Sequence, residues 1–324
     1  MSDVAIGVDV GGTKALALFV ARDGRVLGEV KSATPQLEGN DAGAATAAVL
    51  TKQIRELAGH HGLSPSDVPV GIGLPGLMRR DGRLAYAPNL QSASGADLGA
   101  QLGYSLSSSL VFCENDANCA ALAEHEWGAA RGIDDFVMVT LGTGIGGGIF
   151  ADGHLVRGRS GFAGEIGHMV VQANGASCRC GGHGCWERYA SGGGLGRLAR
   201  EAAASGRLPA LVGQRGGVDA VRAEDVTAAA AQGLDEAVLV MKEMGWWLAL
   251  GIANLAVILD SGHFVIGGGL SSASDLVLPS ARDYLVELVE SLRRGGRHVL
   301  RPYRVDAATL SDQRGEPSGR GRLA

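Results

Sequence analysis

The chain has 324 residues, 46% of them hydrophobic and 19% charged, ordinary globular proportions that exclude a disordered or fibrous protein. A net charge of −5, with no Lys/Arg run longer than a pair, argues against a nucleic-acid groove, which needs a basic patch. The 52 glycines far exceed the roughly 7% of average usage and lack the three-residue period of collagen, so they mark sharp turns or close backbone approaches.

The first residues lack the basic start and apolar stretch of a signal peptide, and the cysteines are therefore expected to be reduced, in the cytoplasm. Residues 4–10, 15–20 and 25–30 are short apolar runs broken by Gly and Asp-Gly, the pattern of three antiparallel strands. Between the first two lies DVGGTK at residues 9–14. Gly11 and Gly12 let the backbone close on an anion, Thr13 and Lys14 can donate to phosphate oxygens, and Asp9 can hold a metal or a water. Taken alone, the segment fits a plain glycine hairpin equally well.

Residues 41–59 space Val49, Leu50, Ile54 and Leu57 as an amphipathic helix does. A strand over 68–74, a further helix and a strand from 110 follow, the last running into Glu114-Asn115-Asp116 and a helix over 117–127. A carboxylate between strand and helix can accept the proton of an attacking hydroxyl while the neighbouring amide orients that hydroxyl. By itself the tripeptide favours the plainer reading of Asp116 as the N-cap of that helix.

The plan restarts at residue 135 with an apolar strand, the turn GTGIGGG at 142–148 and a returning strand. Thr143, Gly144 and Gly146 make this a second phosphate turn, and two matched turns make a clamp on a polyphosphate. Helices are expected near 190–204, 222–232 and 234–256, a strand from 263 and a helix over 275–292. The nearly apolar run 246–259 is shorter than the roughly 20 residues of a membrane span and reads as a buried core helix. Gly267, Gly268 and Gly269 end the strand from 263, where bare backbone could receive an adenosine or simply turn the chain. Two halves that open alike predict a duplicated α/β protein with a ligand cleft between the halves.

Chemistry-bearing residues are densest over 158–191. His168, Cys178, Cys180 and Cys185, with the spacing Cys-x-Cys-x4-Cys, match a closed Cys3His structural zinc site, and glycines 181, 182 and 184 let the loop fold around an ion. Buried free cysteines or a local disulfide are the alternatives. Glu165 and Glu187 flank the cluster as carboxylates able to accept from vicinal sugar hydroxyls.

In order, DVGGTK (9–14), GIGLPG (71–76), APNL (87–90), ENDAN (114–118), LGTGIGGG (141–148), GEIGH (164–168), CRCGGHGCWERYAS (178–191) and IGGG (266–269) resemble the ROK family of repressors, open reading frames and kinases, and within it the actinobacterial-type glucokinases. The resemblance implies an actin-like, hexokinase-type ATPase fold and transfer of the ATP γ-phosphate to glucose. N-acetylmannosamine, N-acetylglucosamine, fructose or allose are alternative acceptors, and a non-catalytic sugar-sensing regulator is the rival class. By this resemblance Asp116 is the catalytic base, Asn89, Asn115, Glu165, His168 and Glu187 hold the sugar, and His168, Cys178, Cys180 and Cys185 bind structural Zn2+. Asp9, Gly11, Gly12, Thr13, Lys14, Thr143, Gly144, Gly146, Gly267, Gly268 and Gly269 would take ATP with Mg2+, in a homodimer or homotetramer without nucleic-acid or membrane partners.

The expected boundaries are a smaller α/β domain over 1–116, a larger one with the zinc knot over 117–310, and a polar, glycine-rich tail over 311–324 that reads as disordered. This tail departs from the alanine-rich helix usual in the family. So does QSASG at 91–95, where many family glucokinases carry a tryptophan. With a first phosphate strand beginning by Val4, no DNA-reading domain is expected ahead of it.

Overall fold

The computed structural model describes residues 3–35, 42–88, 90–270, 273–293 and 303–309. They form two compact units, Met1–Leu122 with Leu155–Ala163, and Ala123–His154 with Gly164–Ala324. The chain passes between units inside one helix, rather than at the 116/117 boundary expected from sequence, and returns to the first unit for the short segment after residue 154. Asn89 and the tail from 311 lie outside the described residues.

In the first unit β1 (Val4–Val10), β2 (Lys14–Ala21) and β3 (Val26–Ala33) form the antiparallel meander expected from their Gly and Asp-Gly breaks. Next to β1, β4 (Val70–Leu74) and β7 (Val111–Asn115) add in parallel, giving the order β3-β2-β1-β4-β7. Period-two burial of Ala15, Ala17 and Phe19 on β2 turns one face to α1 (Ala42–His60), whose Leu50, Ile54 and Leu57 share their core with Ile6, Val8 and Ile72. A small hairpin of β5 (Leu77–Met78) and β6 (Leu84–Tyr86) precedes α2 (Leu98–Leu106), which Asp97 caps by accepting from the Ala100 N–H at 2.9 Å. Then α3 (Asp116–Trp127) leaves the end of β7 without a break.

The second unit repeats the plan. β8 (Phe136–Leu141) and β9 (Ile145–Ala151) pair antiparallel, β10 (His154–Leu155) follows, and β11 (His263–Gly267) and β12 (Arg304–Ala307) add in parallel in the order β10-β9-β8-β11-β12. All five residues of β11 are buried, as befits a central parallel strand covered on both faces. The helices are α4 (Glu187–Ala190), α5 (Gly192–Ala204), α6 (Pro209–Arg215), α7 (Ala223–Ala231), α8 (Asp235–Leu259) and α9 (Ser274–Arg293).

By length and composition α8 could cross a membrane, but half of its most apolar window is buried inside the unit. Val240, Met244, Leu248 and Ile252 belong to the core, which matches the expected core helix. α8 also seats Trp186, fully buried, whose indole N–H donates to the Trp247 carbonyl at 2.8 Å. A Cβ at Gly251 would overlap that indole ring. Gly251→Val is therefore expected to cost about 1–3 kcal/mol by overpacking and to lower the Tm by several degrees, read by differential scanning calorimetry. An unchanged Tm would mean that the indole is not held against this helix.

Candidate active site and metal centre

Within the first unit the carboxyl ends of three parallel strands collect the charged residues. Asp9 on β1 stands opposite Gly73 on β4, and Gly73 opposite Glu114 on β7, so Asp9, Glu114 and the Asp116 that follows share one edge of the sheet, where open α/β sheets bind ligands. Their charges are felt by the half-buried Cys119. Burial and then the carboxylates of Glu114, Asp116 and Asp9 push its thiol up to about 12. The glycine turn beside Asp9 is tight. The Gly11 N–H donates to the Lys14 carbonyl at 2.9 Å, and the buried Thr34, just past the end of β3, ties the turn down through its hydroxyl to the Gly11 carbonyl at 2.8 Å. Gly12, Thr13 and Lys14 keep exposed surface.

The strand–helix junction is locked on both sides of Asp116. One Glu114 oxygen accepts from the Asn115 N–H at 2.9 Å and from Asn118 Nδ2 at 3.0 Å, and the other from Arg157 Nε at 2.6 Å. Asn115 Nδ2 donates to the Gly76 carbonyl at 3.1 Å and its Oδ1 accepts the Asn118 N–H at 3.0 Å. That leaves the Asn115 amide one further N–H and one lone pair in fixed orientation. Asp116 Oδ1 accepts the N–H of Ala117 at 2.8 Å. Sequence reasoning did not find Arg157. It lies 43 positions from Glu114, and no local spacing announces such a pair.

In the second unit the turn between β8 and β9 closes by a bond from the Gly142 N–H to the Gly144 carbonyl at 3.0 Å. Its outward carbonyls are held by α5: the Gly192 and Gly193 N–H groups bond Gly142 and Thr143 at 2.8 and 3.1 Å, and the Ser191 hydroxyl bonds Thr143 at 2.9 Å. Gly267 sits in register with Thr140, and the Leu270 N–H donates to the Leu141 carbonyl at 2.9 Å. At Gly268, with φ +95°, a Cβ would strike the Leu141 backbone, so glycine is required for this approach. The turns 142–146 and 267–269 are thus brought side by side at the carboxyl edge of β8 and β11.

The cysteine loop is knotted by backbone bonds, Cys178 N–H to Gly182 and Gly184 N–H to Ala176 at 2.9 and 2.8 Å. The ligand atoms of His168, Cys178, Cys180 and Cys185 all lie within 4.8 Å of one another. Cys180 and Cys185 sulfurs are 3.6 Å apart, and Cys178 Sγ is 3.7 Å from His168 Nδ1. Zn–S bonds near 2.3 Å and Zn–N bonds near 2.0 Å in a tetrahedron put neighbouring donors about 3.6–3.8 Å apart, so the donor set fits zinc in number and chemistry, and these two pairs fit it in spacing. Burial raises the Cys178 and Cys185 thiols, and the Gly182 N–H lowers Cys180.

The two carboxylates adjoin this knot. Glu187, the first residue of α4, accepts from the Cys178 thiol at 3.0 Å and lies 3.9 Å from His168 Nδ1, and Glu165 lies 3.9 Å from His168 Nε2. Burial raises the Glu165 carboxyl, with the nearby His168 opposing and Glu187 reinforcing. Within this unit His168 therefore joins the metal donors to both carboxylates.

Residues 5–316 match the ROK family. The chain belongs to the ROK family. A glucokinase of Streptomyces coelicolor is 37% identical to this ROK chain over 286 residues, 86% of each protein. An N-acetylmannosamine kinase of Citrobacter koseri is 32% identical over 289 residues, 87% of this chain and 88% of that protein. Among solved structures, a ROK family glucokinase from Streptomyces griseus in complex with glucose and AMPPNP superposes with a TM-score of 0.76 at 36% identity, covering 95% of both chains. The fold of this ROK chain is accordingly that of the hexokinase-type sugar kinases.

Proposed function

We propose that this protein transfers the γ-phosphoryl group of ATP to a hexose, with glucose as acceptor and glucose 6-phosphate as product. The observation that carries the reading is the likeness, over 95% of both chains, to the S. griseus enzyme bound to glucose and AMPPNP. Two features support it: Asp116 at the strand–helix junction and the paired glycine turns.

In this reading Asp116 accepts the proton of the attacking hydroxyl, and the spare N–H and lone pair of Asn115 orient that hydroxyl. Asn89, Glu165, His168 and Glu187 hold the remaining hydroxyls. The Gly11, Gly12, Thr13 and Lys14 turn, Thr143, Gly144 and Gly146, and Gly267, Gly268 and Gly269 receive the nucleotide, with Asp9 a hard oxygen ligand for Mg2+. Mg2+ supplies charge neutralisation at the phosphates, and positioning does most of the remaining work in this class of reaction. Zinc is structural. With Cys178 held as a thiolate its S–H no longer engages Glu187, which frees that oxygen for a sugar hydroxyl. A cytoplasmic homodimer or homotetramer completes the reading.

The test is coupled ADP release across a panel of glucose, N-acetylmannosamine, N-acetylglucosamine, fructose and allose. Glucose is expected to give the highest kcat/KM, and absence of turnover on every sugar overturns the reading. The Glu114–Arg157 pair yields a separate expectation. Arg157→Gln removes a donor at 2.6 Å that fixes the strand carrying Asn115 into Asp116. It should lower kcat about 10-fold or more with a small change in sugar KM, the pattern of a lost transition-state interaction. A rise in KM alone would instead place Arg157 in ground-state binding.

A further inference from the structure

Tyr189, on the one-turn helix α4, is buried, and its ring is held on two sides. The Trp247 ring of α8 lies 4.3 Å away between centroids, and the Arg197 guanidinium of α5 sits 4.4 Å from the Tyr189 centroid. Arg197 is itself fixed: its Nη1 bonds both Glu201 oxygens at 2.6 Å, and its Nε donates to the Arg188 carbonyl at 2.9 Å. A ring clamped in this way holds its hydroxyl in one place. There the hydroxyl accepts the Ala176 N–H at 2.7 Å. A Cβ at Gly175 would overlap that oxygen, so glycine lets the chain pass this close to the tyrosine.

Ala176 is the root of the cysteine loop. Its carbonyl accepts the Gly184 N–H at 2.8 Å, which closes the segment 176–184, and its N–H is the one that Tyr189 holds. Cys178 and Cys180 follow on this limb. Cys185 is joined to α4 by the chain itself, two residues before Glu187. The limb of His168 is tied in through its neighbour, since the Met169 carbonyl accepts the Trp186 N–H at 2.8 Å. All the donors are thus anchored around α4, and for Cys178 and Cys180 the outer anchor is the tyrosine hydroxyl.

We propose that Tyr189 is a positioning residue for the zinc knot, whose hydroxyl holds the limb of Cys178 and Cys180 against Cys185 before the metal arrives. This rests on the reading of the knot as a zinc centre. A loop ordered in advance has less conformational freedom to lose on binding, so the same four donors hold the ion more tightly. The effect is separable from packing. Phenylalanine at 189 keeps the ring between Trp247 and Arg197 and removes only the oxygen, and no member of the donor set is altered.

The experiment is titration of the full chain, stripped of metal, with Zn2+ in competition with a chromophoric chelator. It compares the unmodified protein with Tyr189→Phe, Gly175→Ala and, as a control in the other unit, Tyr104→Phe, whose ring is exposed. The Tm of each is read with and without zinc. Tyr189→Phe and Gly175→Ala should each weaken zinc about tenfold, the low end of what outer partners of metal ligands contribute, and Tyr104→Phe should leave the affinity unchanged. The drop in Tm on chelation should be smaller in Tyr189→Phe than in the unmodified protein, because weaker binding carries less linkage free energy. A residue that only packs the core would lower Tm equally with and without metal and leave the zinc Kd alone. That result overturns the proposal, as does a loss of affinity in Tyr104→Phe as large as in Tyr189→Phe. A chain that takes up no zinc removes the zinc reading and the proposal with it, whereas zinc held equally by the unmodified protein and Tyr189→Phe removes the proposal alone.

Discussion

Asp116→Asn is expected to lower kcat by about 10²–10⁴-fold, the contribution of a positioned general base, with sugar KM and Tm almost unchanged. The substitution is nearly isosteric. The new amide oxygen can still accept the Ala117 N–H, now bonded at 2.8 Å, and asparagine is as good as aspartate at a helix start. What disappears is the ability to take a proton. Of the two roles that the sequence left open for Asp116, the cap falls to Asn115, whose Oδ1 accepts the Asn118 N–H at 3.0 Å, and the experiment tests the other, the base. Full activity in the variant would move the base elsewhere, whereas a collapse of kcat at constant Tm assigns the proton transfer to Asp116. Asp116→Ala should lower kcat as far while leaving the helix cap in place, since the cap is the Asn115 side chain.

Loss of the metal is the second large effect. Purified under conditions that protect thiols, the protein should carry about one zinc per chain, because three sulfurs and one imidazole are gathered within 4.8 Å of one another, with two of the pairs at tetrahedral spacing. Removing it by chelation, or with Cys185→Ser, gives up the free energy of ligand linkage, about 2.7 kcal/mol when free zinc stands a hundredfold above its Kd. At 2–4 °C per kcal/mol for a unit of this size, Tm falls by about 5–10 °C. Sugar KM should rise at the same time, since Glu187 and His168 are set by the knot, and added zinc should restore both in the chelated protein. Less than about half an equivalent of metal, together with freely titratable Cys178, Cys180 and Cys185, would contradict a Cys3His centre.

The legible parts of the fold were those with a strong local period. The β1–β3 meander, the helix at 42–60 and the buried helix at 235–259 each carry their pattern within one segment, and the repeat of strand, glycine turn and strand foretold two sheets of the same order. Less legible were α6 and β12. β12 is four residues long and owes its place to pairing with β11, a long-range contact that no local pattern encodes. α6 is a short helix started by Pro209, too brief to show a period.

The candidate site divides the same way. The cysteine cluster was readable because metal ligands need close spacing and particular side chains. Glu187 was readable by its position beside it. Glu114 stood in a motif, but its partner Arg157 comes from the segment that returns to the first unit after residue 154, so only the fold reveals the pair.

Direct observation of the product tests the central claim most simply. The protein is incubated with Mg2+, ATP and 13C6-glucose, and the mixture is followed by 31P and 13C NMR. Equal growth of ADP and of a phosphate monoester signal coupled to the C6 methylene is the predicted result. ATP consumed with inorganic phosphate as the only new phosphorus species, or an unchanged spectrum with this and every other sugar of the panel, would contradict it.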